Sequence, residues 1–172
     1  MYASPDIQGW MSDPELLWLY DAAAGRKKIV EIGCWKGRST HALCSGCTDG
    51  TVFAVDHFRG NPSEIDGAHA EAKTTDIFSI FLDNTKDFEN LIILRKPSAE
   101  AARMFKRNSI DMVFIDGEHT YEAFKEDFET WLPLCSGLFC GHDANMEGPE
   151  KYLREQGIKF IQKESIWILC RE

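Results

Sequence analysis

The segment IDMVFIDGEHTY (Ile110–Tyr121) sets the frame for the rest of the chain. Its apolar run, Met112-Val113-Phe114-Ile115, has the length of a buried strand and no polar residue alternating within it. The run stops abruptly at Asp116, and Gly117, Glu118 and His119 follow at once. From Tyr121 to about Leu134, Phe124, Phe128, Trp131 and Leu132 recur at helical spacing. An apolar strand feeding an amphipathic helix is the repeating unit of a parallel sheet covered on both faces.

The same unit recurs on either side. Ile29–Ile32, Val52–Val55, Leu91–Leu94 and Gly137–Cys140 read as further strands. Helices are predicted from Ser12 or Asp13 (with Pro14 in the first turn) to near Gly25, and over 39–44, 75–87, 99–106 and 148–156. Residues 57–72 are polar and irregular. Ile158–Ile161 and Ile166–Leu169 are joined by too few residues for a crossover helix, so that last pair is predicted to be antiparallel. The expectation is an α/β, Rossmann-like, mostly parallel seven-stranded sheet. It has helices on both faces and a C-terminal antiparallel hairpin, in one domain over 1–172 with a loose arm over 1–12.

Bulk properties narrow the function classes. The chain has 172 residues, 44% hydrophobic and 27% charged, which is globular composition. A formal charge of −9 repels phosphate backbones, so nucleic acid is not the expected partner. The six cysteines are scattered in mostly apolar context, as in reduced intracellular proteins. Cys44-Ser-Gly-Cys47 has redox or zinc spacing, with His41 upstream, but only Cys140 and His142 could complete a metal set, and the pair reads as incidental. No signal peptide or membrane-length apolar run is seen, so the expected setting is cytoplasmic, without a membrane partner.

Open α/β sheets bind ligands beyond the carboxyl ends of their strands. Glu31 and Gly33, Asp56, Ser98, Asp116 with His119, and His142 with Asp143 all fall at such ends. Gly33 and Gly37 permit a sharp turn, and the helix after them offers free N–H groups to an anion. The middle glycine of the dinucleotide fingerprint is missing, and Glu31 would repel a pyrophosphate while attracting a cation. Asp56 follows at about the separation, roughly 20 residues, where an acidic residue accepts ribose hydroxyls. A ligand with a ribose, a carboxylate and a positive charge suits this set, and S-adenosylmethionine (SAM) has all three.

The segments VEIGCWKGRST (30–40), AVDHF (54–58), PSAEAARMF (97–105), IDMVFIDGEHTYEAFKEDFETWLPL (110–134) and GHD (141–143) resemble the class I SAM-dependent methyltransferases. The similarity is greatest to the small-molecule and sugar O-methyltransferase branch, and it runs from about residue 12 to the end. The resemblance implies that Glu31, Gly33, Trp35 and Ser39 contact the methionine portion of SAM. It implies that Asp56 holds the ribose and that Ser98 lies near the adenine. Asp116 would sit by the sulfonium and, with Asp143 and His142, could bind a metal. His142 stands where relatives have an oxygen ligand, which favours Mn²⁺ over Mg²⁺. His119 matches a general-base position, so His119 and Asp116 are the expected catalytic pair.

The implied activity is methyl transfer to a hydroxyl of a small-molecule or carbohydrate-like acceptor. Such a reaction needs alignment and a base for the hydroxyl proton. An NAD-binding oxidoreductase and a non-catalytic SAM-binding module are the alternatives. Acceptor selectivity is expected in residues 1–12, 57–75 and 144–150, with His57 and His69 as solvated loop residues. No lid segment is evident, so the acceptor site is expected to be open or completed by a second subunit of a homo-oligomer.

Overall fold

Seven strands form one sheet in the order β3-β2-β1-β4-β5-β7-β6 in the computed structural model. It describes Tyr2, residues 5–61 and residues 67–170, the side chains of 67–69 excepted. His69 and residues 62–66 of the expected acceptor segment therefore lie outside the described side chains. The elements are α1 (Asp13–Ala23), β1 (Lys28–Ile32), α2 (Arg38–Gly46), β2 (Thr51–Val55), α3 (Ile77–Thr85), β3 (Leu91–Leu94) and α4 (Ser98–Ala102). They continue as β4 (Ile110–Ile115), α5 (Tyr121–Trp131), β5 (Cys135–Gly141), α6 (Glu147–Glu155), β6 (Phe160–Lys163) and β7 (Ile166–Leu169).

β1 to β5 are parallel, and β7 pairs antiparallel with both β5 and β6. The expected sheet and hairpin are both present. Alternate residues of the central strands feed two cores. Ile29, Met112, Phe114 and Cys140 pack with Leu16, Leu19 and Leu43 of α1 and α2. Val30, Val113, Ile115 and Phe139 pack with Phe124, Phe128 and Trp131 of α5. Strands buried on both faces have no polar side to show, which is why their sequences read as apolar runs.

Several boundaries differ from the sequence reading, and three of them have a clear backbone reason. α4 ends at Ala102, because the N–H groups of Arg103, Met104 and Phe105 bond three residues back and tighten the chain out of α-helix. α5 gives way to a 3₁₀ turn (Leu132–Leu134) at Pro133, which has no N–H to continue the helix. β6 begins at Phe160 rather than Ile158. Gly157 adopts φ +63°, and the Ile158 N–H returns to the Leu153 carbonyl to close the end of α6.

The arm is also less loose than expected over its second half. Ile7 and Met11 are buried, and the Arg38 guanidinium donates to both of their carbonyls. Ser12 caps α1 reciprocally: its hydroxyl accepts the Glu15 N–H, and the Glu15 carboxylate accepts the Ser12 N–H.

Candidate active site

β1 lies between β2 and β4, so connections leave it toward opposite sides of the sheet and a crevice opens at its carboxyl end. The register carries the polar residues to one rim. Ile32 pairs with Val55 and Ile115, and Ile115 with Gly141, which sets Gly33, Asp56, Asp116 and His142 side by side. A cleft of about 570 Å³ fills the crevice, within the range of roughly 300–1,000 Å³ usual for small-molecule sites.

Gly33, Trp35, Ser39, Asp56, Ser98, Asp116, His119, His142 and Asp143 all line this cleft. Glu31 does not. It is fully buried one residue behind the turn, where its Oε2 accepts the Thr40 hydroxyl at 2.5 Å and its Oε1 has no hydrogen-bond partner among the described residues. Burial pushes its carboxyl up to about 7, against the lowering effect of the Ser39 and Thr40 hydroxyls.

The turn after β1 is built around Asp56. One carboxylate oxygen accepts the N–H groups of Cys34 and Trp35, and the other accepts that of Phe58. A carboxylate has about four lone-pair sites, so little capacity is left for a ligand hydroxyl. Trp35 is held in the left-handed region at φ +46°, a strained conformation of the kind found at functional sites. Gly33 is required here: its φ is +82°, and a Cβ on it would stand 2.0 Å from the Asp116 carbonyl oxygen. The absent side chain lets the ends of β1 and β4 touch. Gly37 caps α2 and offers no side chain to its first N–H groups, the arrangement in which a helix start can accept an anion.

On the far side of the cleft, Ser98 donates to Asp127 Oδ1 at 2.5 Å and accepts the Trp131 indole N–H at 2.8 Å. Its hydroxyl is thereby committed within the protein. Asp127 itself faces the cleft and is buried; burial pushes its carboxyl up to about 6, with Ser98 opposing. The sequence reading missed Asp127. The signal was present, since this acidic residue falls among Phe124, Phe128 and Trp131 at core-facing positions of α5.

The charged cluster stands where β4 and β5 end. Asp143 adopts φ +58°, which an aspartate tolerates, and its carboxylate reaches two imidazoles. Its Oδ2 lies 2.7 Å from His119 Nε2, and its Oδ1 lies 3.1 Å from His142 Nδ1. Asp116 Oδ1 is 3.6 Å from the same Nδ1. The opposite nitrogen of His142, Nε2, is 3.2 Å from Glu15 Oε1 of α1. Burial alone would lower the His142 imidazole; Asp143, Asp116 and Glu15 outweigh it and lift it to about 9. Burial also raises Asp116, whereas the two imidazoles overcome burial at Asp143 and hold it well below the usual carboxylate range.

Asp116, His142 and Asp143 offer ligand atoms all within 4.8 Å of one another, the one such group among the described residues. Atoms about 2.1 Å from a shared ion lie roughly 3.0–3.5 Å apart at right-angle to tetrahedral geometry, close to the 3.1 and 3.6 Å seen here. The residues fit a divalent cation. Cys44 and Cys47 do not join Cys140 and His142 in any such group; all six cysteines are free, and these thiols are raised by burial.

Residues 30–144 match a family described as a methyltransferase domain. The uncharacterized protein y4gI of Sinorhizobium fredii is 30% identical over 125 residues, which is 70% of this chain but only 13% of that protein. The chain thus spans a small part of the length of this curated relative. Among solved structures, the O-methyltransferase from Bacillus cereus in complex with SAH is similar, with a TM-score of 0.64 at 16% identity, covering 98% of this chain and 84% of that one. The O-methyltransferase TomG from Streptomyces achromogenes, in complex with SAM, also has a TM-score of 0.64 at 16% identity, covering 94% and 82%.

Proposed function

The chain belongs to the methyltransferase-domain family, and on that premise we propose that it transfers the methyl group of SAM to a hydroxyl of a small-molecule or carbohydrate-like acceptor. Family membership displaces the nicotinamide alternative. The observation that carries the finer reading is the His119–Asp143 contact at 2.7 Å beside Asp116, at the mouth of the cleft. The solved O-methyltransferases named above, crystallised with SAM or its product SAH, support the choice of donor.

In this reading the methionine carboxylate meets the free N–H groups at the start of α2. The ribose lies beside Asp56 and the adenine beside Ser98, where the free oxygen of Asp127 accepts the exocyclic amine. The acceptor oxygen attacks the methyl carbon, the carbon–sulfur bond breaks, and the sulfonium becomes the neutral thioether of SAH. His119 takes the hydroxyl proton, and Asp143 orients its ring. Asp116, His142 and Asp143 would hold a divalent cation, which, when bound, lowers the pKa of the acceptor hydroxyl. Imidazole among the ligands favours Mn²⁺ over Mg²⁺. Trp10 and Trp35, with rings 5.8 Å apart, and Met146 give the cleft an aromatic and apolar rim suited to the flat face of a ring. A charge of −9 argues for a small molecule rather than a nucleic acid, and six free thiols suit the cytoplasm.

The test is SAH production from SAM over a panel of phenols and sugars, in the wild type and in His119→Ala. We expect turnover on at least one class of hydroxyl and a loss of about 10²–10⁴-fold in kcat for the variant, with SAH affinity unchanged. SAM binding without turnover on any member of the panel would instead indicate a non-catalytic module. Equal kcat in the variant would remove His119 as the base.

A further inference from the structure

Both carboxylate oxygens of Glu15 accept from backbone donors. Oε2 takes the Ser12 N–H at 2.9 Å, and Oε1 takes the Ser165 N–H, from the turn between β6 and β7, at 3.0 Å. Neither position could be filled by an amide nitrogen without setting donor against donor. The Ser12 hydroxyl also donates to Oε2, and the remaining partner of this carboxylate is His142 Nε2, at 3.2 Å from Oε1, in a contact buried from solvent. An acceptor-only group fixes that nitrogen as N–H, so when a cation displaces the other ring proton the lone pair is left on Nδ1. Nδ1 is the nitrogen that faces Asp116 and Asp143.

We propose that Glu15 is a positioning residue. By accepting the Nε2 proton of His142, it presents Nδ1 as the third ligand of the cation site formed with Asp116 and Asp143. The inference rests on the cation reading given above. A carboxylate behind a ligating histidine is a known means of fixing tautomer and raising ligand basicity, and its loss costs about 10–100-fold in metal affinity. Glu15 and Ser165 both lie outside the segment that matches the methyltransferase family. The ligand geometry is thus set by the N-terminal helix and the C-terminal hairpin, which clamp the site from behind.

Mn²⁺ binding followed by electron paramagnetic resonance in the wild type, Glu15→Gln and Glu15→Ala reads the effect directly. SAH affinity and thermal unfolding serve as controls for the fold and for the cofactor reading. We expect Mn²⁺ affinity to fall about 10–100-fold in both variants, with SAH affinity retained. Nitrogen-15 NMR of the wild-type His142 ring with diamagnetic Zn²⁺ bound should show Nε2 protonated and Nδ1 as the ligand, and Glu15→Ala should show ligation through either nitrogen. Unchanged Mn²⁺ affinity in a folded Glu15→Gln would overturn the proposal, as would a wild-type ring with bare Nε2. If the wild type binds SAH but no Mn²⁺, the cation reading fails and this proposal with it, while the methyl-transfer reading stands.

Discussion

Asp127 illustrates how a single carboxylate can serve ligand and fold in opposite directions. Its pKa rises from the ordinary 3.8 to about 6 because burial disfavours the charge. Below about pH 3.8 folded and unfolded states both carry the proton. Between the two values the folded state binds it more strongly, so stability falls as pH rises. Above about 6 the whole effect, roughly 3 kcal/mol, is lost to folding. Asp127→Asn should therefore unfold at a higher temperature than the wild type at pH 8, and the difference should fade at pH 4. The same change turns a donor toward the cleft, so SAH should bind the variant more weakly. Melting curves at the two pH values and one SAH titration check both signs. At this scale the sequence was informative where chemistry coincided with strand ends: nine of the residues singled out line the cleft. It was silent where a side chain reaches in from elsewhere. Glu15 falls in the first turn of a predicted helix, and nothing local shows that its carboxylate, half of a capping box in the structure, touches His142 across 127 positions. Nor could the sequence show that Asp56 and Ser98 spend most of their hydrogen-bonding capacity on the protein.

Between elements, the meeting of β1 and β4 holds the site together. Asp116 donates its N–H to the Ile32 carbonyl at 2.7 Å, and its own carbonyl occupies the space where a Gly33 side chain would stand. Gly33→Ala combines left-handed strain with overlap against backbone. Expected are a loss of roughly 3–5 kcal/mol of stability and no measurable SAH binding, checked by denaturant unfolding and calorimetry. Strand identities were legible because each central strand is apolar on both faces. Element ends were not. They depend on hydrogen bonds three rather than four residues back after α4, on Pro133 after α5, and on Gly157 before β6. Such endings follow from backbone geometry that periodicity does not carry.

Across the whole molecule, helices α1, α2 and α3 cover one face, and α4, α5 and α6 the other. No helix among the described residues is long and apolar enough to cross a membrane. The three segments expected to select the acceptor all send residues to the cleft: Gln8 and Trp10, His57 and Asn61, and Met146. Donor and acceptor would therefore share one opening, with the aromatic rim on one side and His119 on the other. Whether this opening receives SAM decides the proposed function. Calorimetric titration of the purified chain with SAH addresses it without knowledge of the acceptor. Saturable binding at one site per chain is expected, weakened by Asp127→Asn and retained in His119→Ala. Absence of heat together with an unchanged melting temperature at saturating SAM or SAH would contradict it.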